Sequence, residues 1–226
     1  VDKTALVTGG TGGLGTAVTN TLLADGWRVV VPWISESERD RLPSADGLEM
    51  VQADLNKSED AERSASLAAS RSEAPLQAVV NLVGGFGMGP KVHEASIDDF
   101  EHLLRLNLRP TYLTTQAAVP HLISGGGGSI VCMGSRAAQH PFPGAAGYVT
   151  SKAAVLGFVG LLAAEYKLEG IRANAVVPNM IDTPANREAM PNSNRQGWTD
   201  PHEIARVISF LCSDASGVVN GAQVPV

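Results

Sequence analysis

Short apolar runs rich in β-branched residues alternate along this chain with longer segments in which apolar positions recur every three or four residues. Unbroken or alternating apolar runs suit strands and a 3.6-residue period suits helices, so the alternation predicts βαβ units on a parallel sheet. Seven strands are expected: "TALVT" (4–8), "WRVVV" (27–31), "LEMVQ" (48–52), "QAVVN" (77–81), "SIVCM" (129–133), "IRANAVV" (171–177) and "QVPV" (223–226). Helices are expected at about 13–25, 58–71, 97–122, 147–168 and 200–213, several with Ser or Asp near the start as caps. These elements fill the chain, so the expectation is one α/β domain spanning 1–226, a mostly parallel seven-stranded sheet with helices on both faces. "GGGG" at 125–128 reads as the turn feeding the fifth strand, and 179–199, rich in Asn, Pro, Met and Arg, as a functional loop of about twenty residues.

Composition narrows the function classes. The chain has 226 residues, 44% of them hydrophobic and 18% charged, enough for one substantial core and without a disordered signature. A net charge of −6 with no basic run argues against nucleic acid as a partner. Cys132 and Cys212 sit in apolar surroundings without zinc-type spacing, and the five histidines form no HxxxH pair, so no metal site is expected. No apolar stretch is read as long enough to cross a bilayer, and no signal peptide is read at the N-terminus. The expectation is a cytoplasmic protein with no membrane partner.

The chemistry begins at "TGGTGGLG", residues 8–15, between the first strand and the first helix. In such a turn the backbone N–H groups and the helix N-terminus face an anion, and the missing Cβ atoms admit a pyrophosphate. A purely structural turn remains the competing reading of the motif alone. "YVTSK" sets Tyr148 and Lys152 four residues apart on one helical face. An ammonium there would favour the phenolate and lower the tyrosine pKa. Ser135 follows the fifth strand, where the carboxyl edge of a parallel sheet opens onto a ligand crevice, and its hydroxyl could bond a carbonyl oxygen.

In order and spacing these motifs resemble the short-chain dehydrogenase/reductase family, in its short single-domain branch, over nearly the entire chain. The resemblance implies a Rossmann-type doubly wound sheet. It puts Thr8, Gly9, Thr11, Gly13, Leu14 and Gly15 in the cofactor turn, Trp33 at the family's acidic position after the second strand, and Asp54 and Leu55 of "ADL" beside the adenine. "NLVGG" matches the family's Asn-Asn-Ala-Gly in part, through Asn81 and Gly84, with Leu82 and Val83 departing from it. "LNLRPTY" assigns the catalytic Asn to Asn107, and "VVPNMIDTP" assigns nicotinamide contacts to Pro178, Ile181 and Thr183, with Asn179 where glycine is usual. "DTPANREAMP" and "WTDP" are further similar to dihydropteridine reductases, from which Ser135 and Trp33 depart.

The resemblance implies hydride transfer between nicotinamide and a carbonyl or alcohol. Tyr148 is expected as general acid and base, Ser135 as holder of the substrate oxygen, Lys152 as partner of Tyr148 and of the ribose, and Asn107 as holder of a water linking Lys152 to solvent. A small free carbonyl or alcohol is preferred as substrate. A 3-oxoacyl-carrier-protein reductase or a dihydropteridine reductase-like enzyme is the alternative, and a non-catalytic dinucleotide-binding protein the alternative of another class. For the cofactor, NAD(H) or NADP(H), the balance tips to NAD(H): no Lys or Arg lies in the glycine turn, and Glu36 and Glu38 oppose a phosphate, although Ser35 and Glu38 also fit a capping box and Arg39 is within a turn.

Phe86, Met88, His140 and Phe142 are read either as pocket lining or as turn and core residues, and Trp198 either as a pocket wall or as an anchor. The run "AAVLGFVGLLAAEY" from Ala153 carries no charge before Glu165. A helix apolar all round is buried on more than one side, so a homodimer or homotetramer is expected through this helix and the one at 97–122.

Overall fold

The computed structural model describes residues 2–226. Seven strands pair in parallel in the order β3-β2-β1-β4-β5-β6-β7. They are β1 (Thr4–Thr8), β2 (Arg28–Trp33), β3 (Leu48–Gln52), β4 (Leu76–Asn81), β5 (Gly128–Met133), β6 (Ile171–Val177) and β7 (Gln223–Pro225). The order reverses between β1 and β4, whose ends are tied where Leu82 N–H donates to the Thr8 carbonyl at 3.2 Å. In an open α/β sheet the crevice beyond the carboxyl ends at such a reversal is where ligands bind.

Helices α1 (Gly15–Ala24) and α8 (Pro201–Cys212) pack together on one face of the sheet; α3 (Ser58–Ala68), α5 (Arg109–Ser124) and α6 (Ala146–Glu165) cover the other. β-strand side chains point to alternate faces, which is why Val7, Val29 and Val31 join the core under α1 while Leu6 and Val30 join the core under α3 and α5. Every residue of β1 is buried. Buried Arg28 is fully paired: it donates to Glu49 of β3 at 2.8 and 3.1 Å and to the carbonyls of Leu67 and Ala68 at the end of α3. It clamps two strands to a helix end.

Four sequence expectations are corrected. The helix expected at 97–122 is two helices, α4 (Ile97–Asn107) and α5, broken at Leu108. Pro110 lacks the N–H that would bond the Leu106 carbonyl, and its ring crowds that oxygen, so the chain restarts with Pro in the first turn. The 179–199 segment is not wholly irregular: it holds α7 (Pro184–Ala189), capped by Thr183 Oγ1 accepting from Asn186 N–H at 3.2 Å, and a parallel bridge between Ile181 and Thr199. Ser35 does begin α2 (Glu36–Arg39), but its hydroxyl pairs with Ser37 Oγ at 2.8 Å, so no capping box forms. Lastly, α6 has 20 residues at a mean hydropathy of 1.5, long and apolar enough to cross a membrane by length and composition. Here its buried side packs on β5 and β6.

Candidate active site

The glycine turn leaves β1 at Gly9, whose φ of +66° is a left-handed conformation open to glycine, and enters α1 at Gly15. A Cβ at Gly15 would collide with the Gly9 carbonyl oxygen, and one at Gly9 would stand 3.1 Å from the Val83 nitrogen. The turn is therefore folded tightly against the start of its helix and against the end of β4. Thr11 and Leu14 are buried within it while Gly13 faces solvent. The tight turn sets backbone N–H groups at the N-terminus of α1, a setting that suits a dinucleotide pyrophosphate. The far segment reaches it: a Cβ at Gly13 would lie 2.9 Å from Thr183 Cβ.

The reacting side chains come from β5 and α6. Ser135 lies two residues past β5 and is 6% exposed, its Oγ accepting from Ala137 N–H at 3.2 Å. Its hydroxyl lies close enough to the Tyr148 phenol to favour the ionised form. Burial raises the Tyr148 pKa above its ordinary value of 10.0, and the nearby Ser135 hydroxyl offsets only part of that rise. The expectation that Lys152 lowers it is corrected, because Lys152 is itself buried. Its Nζ donates to the Met133 carbonyl at 3.0 Å, and desolvation depresses its pKa from 10.5 to about 8. The lysine and tyrosine share α6 as the spacing predicts.

Asn107 closes the site from α4. Its Oδ1 accepts from Gly85 N–H at 2.9 Å, and its Nδ2 donates to the Gly85 carbonyl at 3.1 Å and to Ser151 Oγ at 3.0 Å. The side chain thus pins the loop after β4 to α6. Both Nδ2 hydrogens are used there, while Oδ1, with Gly85 N–H as its donor, keeps a second lone pair for the expected water. Gly84 is what permits this crowding: a Cβ there would be 2.5 Å from Asn107 Oδ1 and 3.2 Å from Lys152 Nζ.

The remaining expected cofactor residues divide. Trp33 ends β2 half-buried, with the Arg39 guanidinium 5.7 Å from its ring centroid. Asp54 Oδ1 accepts from Asn56 N–H at 3.1 Å, and the Asp54 N–H donates to Asp60 Oδ2 at 2.7 Å, so this carboxylate shapes its own turn. Leu55 is packed in a small core with Ala53 and Ala61. Asn81 ends β4 buried, its Nδ2 donating to Thr115 Oγ1 at 3.1 Å inside the fold. Pro178 is buried, its carbonyl accepting from Arg136 N–H at 3.0 Å, and the Ile181 carbonyl accepts from Asn186 Nδ2 at 2.8 Å. Phe86 was open to two readings on the sequence alone. It lies over Tyr148 with ring centroids 5.0 Å apart, nearly edge-on. Its neighbours in sequence are glycines, which gave no helical or strand period to reveal it.

Comparison with known proteins places the chain by family and by fold. Residues 3–194 match the family described as short chain dehydrogenase. The chain is 32% identical to dehydrogenase/reductase SDR family member 4 of Sus scrofa over 100% of this chain and 86% of that protein. It is 32% identical to (3R)-3-hydroxyacyl-CoA dehydrogenase of Mus musculus over 98% of this chain and 93% of that protein. The fold superimposes on a solved structure, ElxO with NADP bound, with a TM-score of 0.92 at 23% identity, covering 100% of this chain and 97% of that one.

Proposed function

We propose, from the premise that this chain belongs to the short-chain dehydrogenase/reductase family and is an NAD(P)-dependent oxidoreductase, that it interconverts a carbonyl and an alcohol on a small molecule. The observation that carries the reading is the approach of buried Ser135 to half-buried Tyr148, one helical turn from buried Lys152, at the carboxyl edge of the sheet. The nicotinamide cofactor supplies or accepts the hydride.

The chain's own groups handle the oxygen and its proton. In reduction the Ser135 hydroxyl holds the carbonyl oxygen, and the Tyr148 phenol gives that oxygen its proton as negative charge develops there; in oxidation the same phenolic oxygen takes the proton back. A pKa raised by burial keeps the phenol protonated near neutrality, which suits the acid role. Lys152, fixed to β5 through Met133, carries its ammonium one helical turn from Tyr148, where it is suited to hold the nicotinamide ribose. Asn107 keeps the loop after β4 against α6, so the crevice holds its width. Assay of the purified protein with NADH and NADPH against a panel of small aldehydes and ketones tests this reading, which predicts carbonyl-dependent oxidation of one cofactor.

For the cofactor we favour NAD(H). Glu36 and Glu38 stand in the first turn of α2, just past Trp33, where a 2′-phosphate would meet them. Steady-state KM values for the two cofactors decide this, and a lower KM for NADPH contradicts it.

For assembly we favour a homodimer or homotetramer through α6. Its outward side carries Ala153, Gly157, Gly160, Leu161 and Ala164, all exposed, and Leu161 and Tyr112 are 50% and 47% exposed. Nothing lies within 4 Å of a Cβ added at Gly157 or Gly160. A smooth apolar helix face of this kind is suited to close packing against a second copy.

A further inference from the structure

A separate cavity of about 680 Å³ lies beside the crevice, enclosed by residues 86–97, α4 and the first turn of α6. Its walls are largely apolar, with Met88, Ile97, Phe100, Leu103 and Leu106 among them, and neither Ser135, Tyr148 nor Lys152 lines it. Its link to the chemistry is Phe86. One ring forms part of the cavity wall and packs edge-on against the Tyr148 ring. Phe142, from the segment after β5, stands 6.5 Å from the same ring. The mouth is held open by backbone: Gly89 N–H donates to the Gly144 carbonyl at 2.7 Å, tying the loop after β4 to the loop before α6.

The rim is unusually apolar for a surface. Phe86, Met88, Val92 and Ile97 are all more than half exposed, within twelve residues of one another. Large apolar side chains grouped at a concave surface mark a place where apolar matter binds. The cavity volume lies within the usual range for small-molecule sites. Asp99 lines the cavity and no Lys or Arg does, so a neutral arm is favoured there over an anionic one.

We infer that this cavity receives the apolar arm of the substrate, an unbranched aliphatic or aromatic group attached to the carbonyl carbon, with Phe86 setting the direction in which the arm leaves Tyr148. The inference deepens the carbonyl–alcohol reading above and rests on it. It makes the substrate class a neutral carbonyl compound, or its alcohol, with an apolar tail. The reaction is unchanged by the arm: hydride adds to the carbonyl carbon, the Tyr148 proton to its oxygen, and the alcohol and oxidised cofactor leave.

The test is a series of unbranched aldehydes from propanal to decanal, assayed with wild type and Ala95→Trp. Ala95 is a half-buried wall residue outside the reacting groups. The expected result is a rise in kcat/KM of about two- to fourfold per methylene in wild type until the cavity is filled. Ala95→Trp should flatten that rise while leaving propanal within about twofold. A flat series in wild type, or a rise that persists in the variant, overturns the arm site and leaves the carbonyl chemistry standing. Titration with the neutral dye Nile red reads the cavity without turnover. Its affinity should fall at least fivefold in Ala95→Trp, and equal affinity overturns the inference even if no aldehyde reacts. Should that variant fail to fold, Ile97→Asp sets a carboxylate on the exposed rim and is expected to give the same losses. A cavity sealed by a second copy of the chain would bind the dye only on dilution to monomers, and that result also overturns it.

Discussion

Lys152 Nζ donates to the carbonyl oxygen of Met133 at 3.0 Å, so the ammonium on α6 is held to the last residue of β5. Burial costs that charge its hydration and brings its pKa down to about 8. Below pH 8 the folded protein keeps the ammonium; above it the group is neutral while Tyr148 remains protonated. Carbonyl reduction should therefore lose kcat/KM along a basic limb near pH 8. Stability should move the opposite way: between about 8 and 10.5 the unfolded chain binds the proton that the fold has released, so unfolding becomes harder as pH rises. Lys152→Arg, which stays charged, should shift the activity limb above about pH 10. An unchanged limb in the variant would assign it to another group.

Gly84→Ala tests the crowding at the loop after β4. Its methyl would press on Asn107 Oδ1 and reach Lys152 Nζ, both of which are held by other bonds. A loss of turnover of at least tenfold is expected, together with weaker cofactor binding, read by steady-state kinetics and by NADH fluorescence. Wild-type kinetics would show that the loop has slack.

Asn107→Asp removes donation while keeping the size of the side chain. The carboxylate can still accept from Gly85 N–H but can give nothing to the Gly85 carbonyl or to Ser151 Oγ. Leaving buried acceptors unpaired costs about 1–3 kcal/mol each, so the denaturant midpoint should fall, and kcat with it. A variant as stable and as fast as wild type would show that these bonds do not hold the loop.

Two glycines of like appearance in the sequence should answer differently. Gly15→Ala sets a methyl into the Gly9 carbonyl and should abolish dinucleotide binding. Gly157→Arg meets nothing within the chain, so the subunit should fold, while light scattering should report a smaller assembly. An unchanged mass for Gly157→Arg would remove α6 from the interface.

The strands were legible because apolar runs such as Ala5–Val7 and Val29–Val31 have no other use in a chain of this charge, and the structure places each within a residue or two of its expected span. The Tyr148–Lys152 pair was legible because its four-residue spacing is a helical one. The break at Leu108 was signalled by Pro110 but outweighed by continuous helical periodicity on either side. Thr183 and Pro184 carried the sequence sign of a helix start for α7, obscured by the Asn- and Pro-rich segment around them. Other features depend on distance in space and had no local sign. These include the bonds by which Asn107 pins the loop after β4 to α6, the rise rather than fall of the Tyr148 pKa, and the edge-on contact of Phe86 with Tyr148. Burial sets each of them, and burial comes from packing of segments far apart in the chain.

The proton transfer assigned to Tyr148 is the centre of the account, and Tyr148→Phe removes it while keeping the ring that packs against Phe86. The measurement is single-turnover carbonyl reduction by Tyr148→Phe with saturating cofactor, alongside the dissociation constant of that cofactor. The account predicts a rate at least about a hundredfold lower with cofactor affinity within a few fold of wild type. A near-normal rate would contradict it.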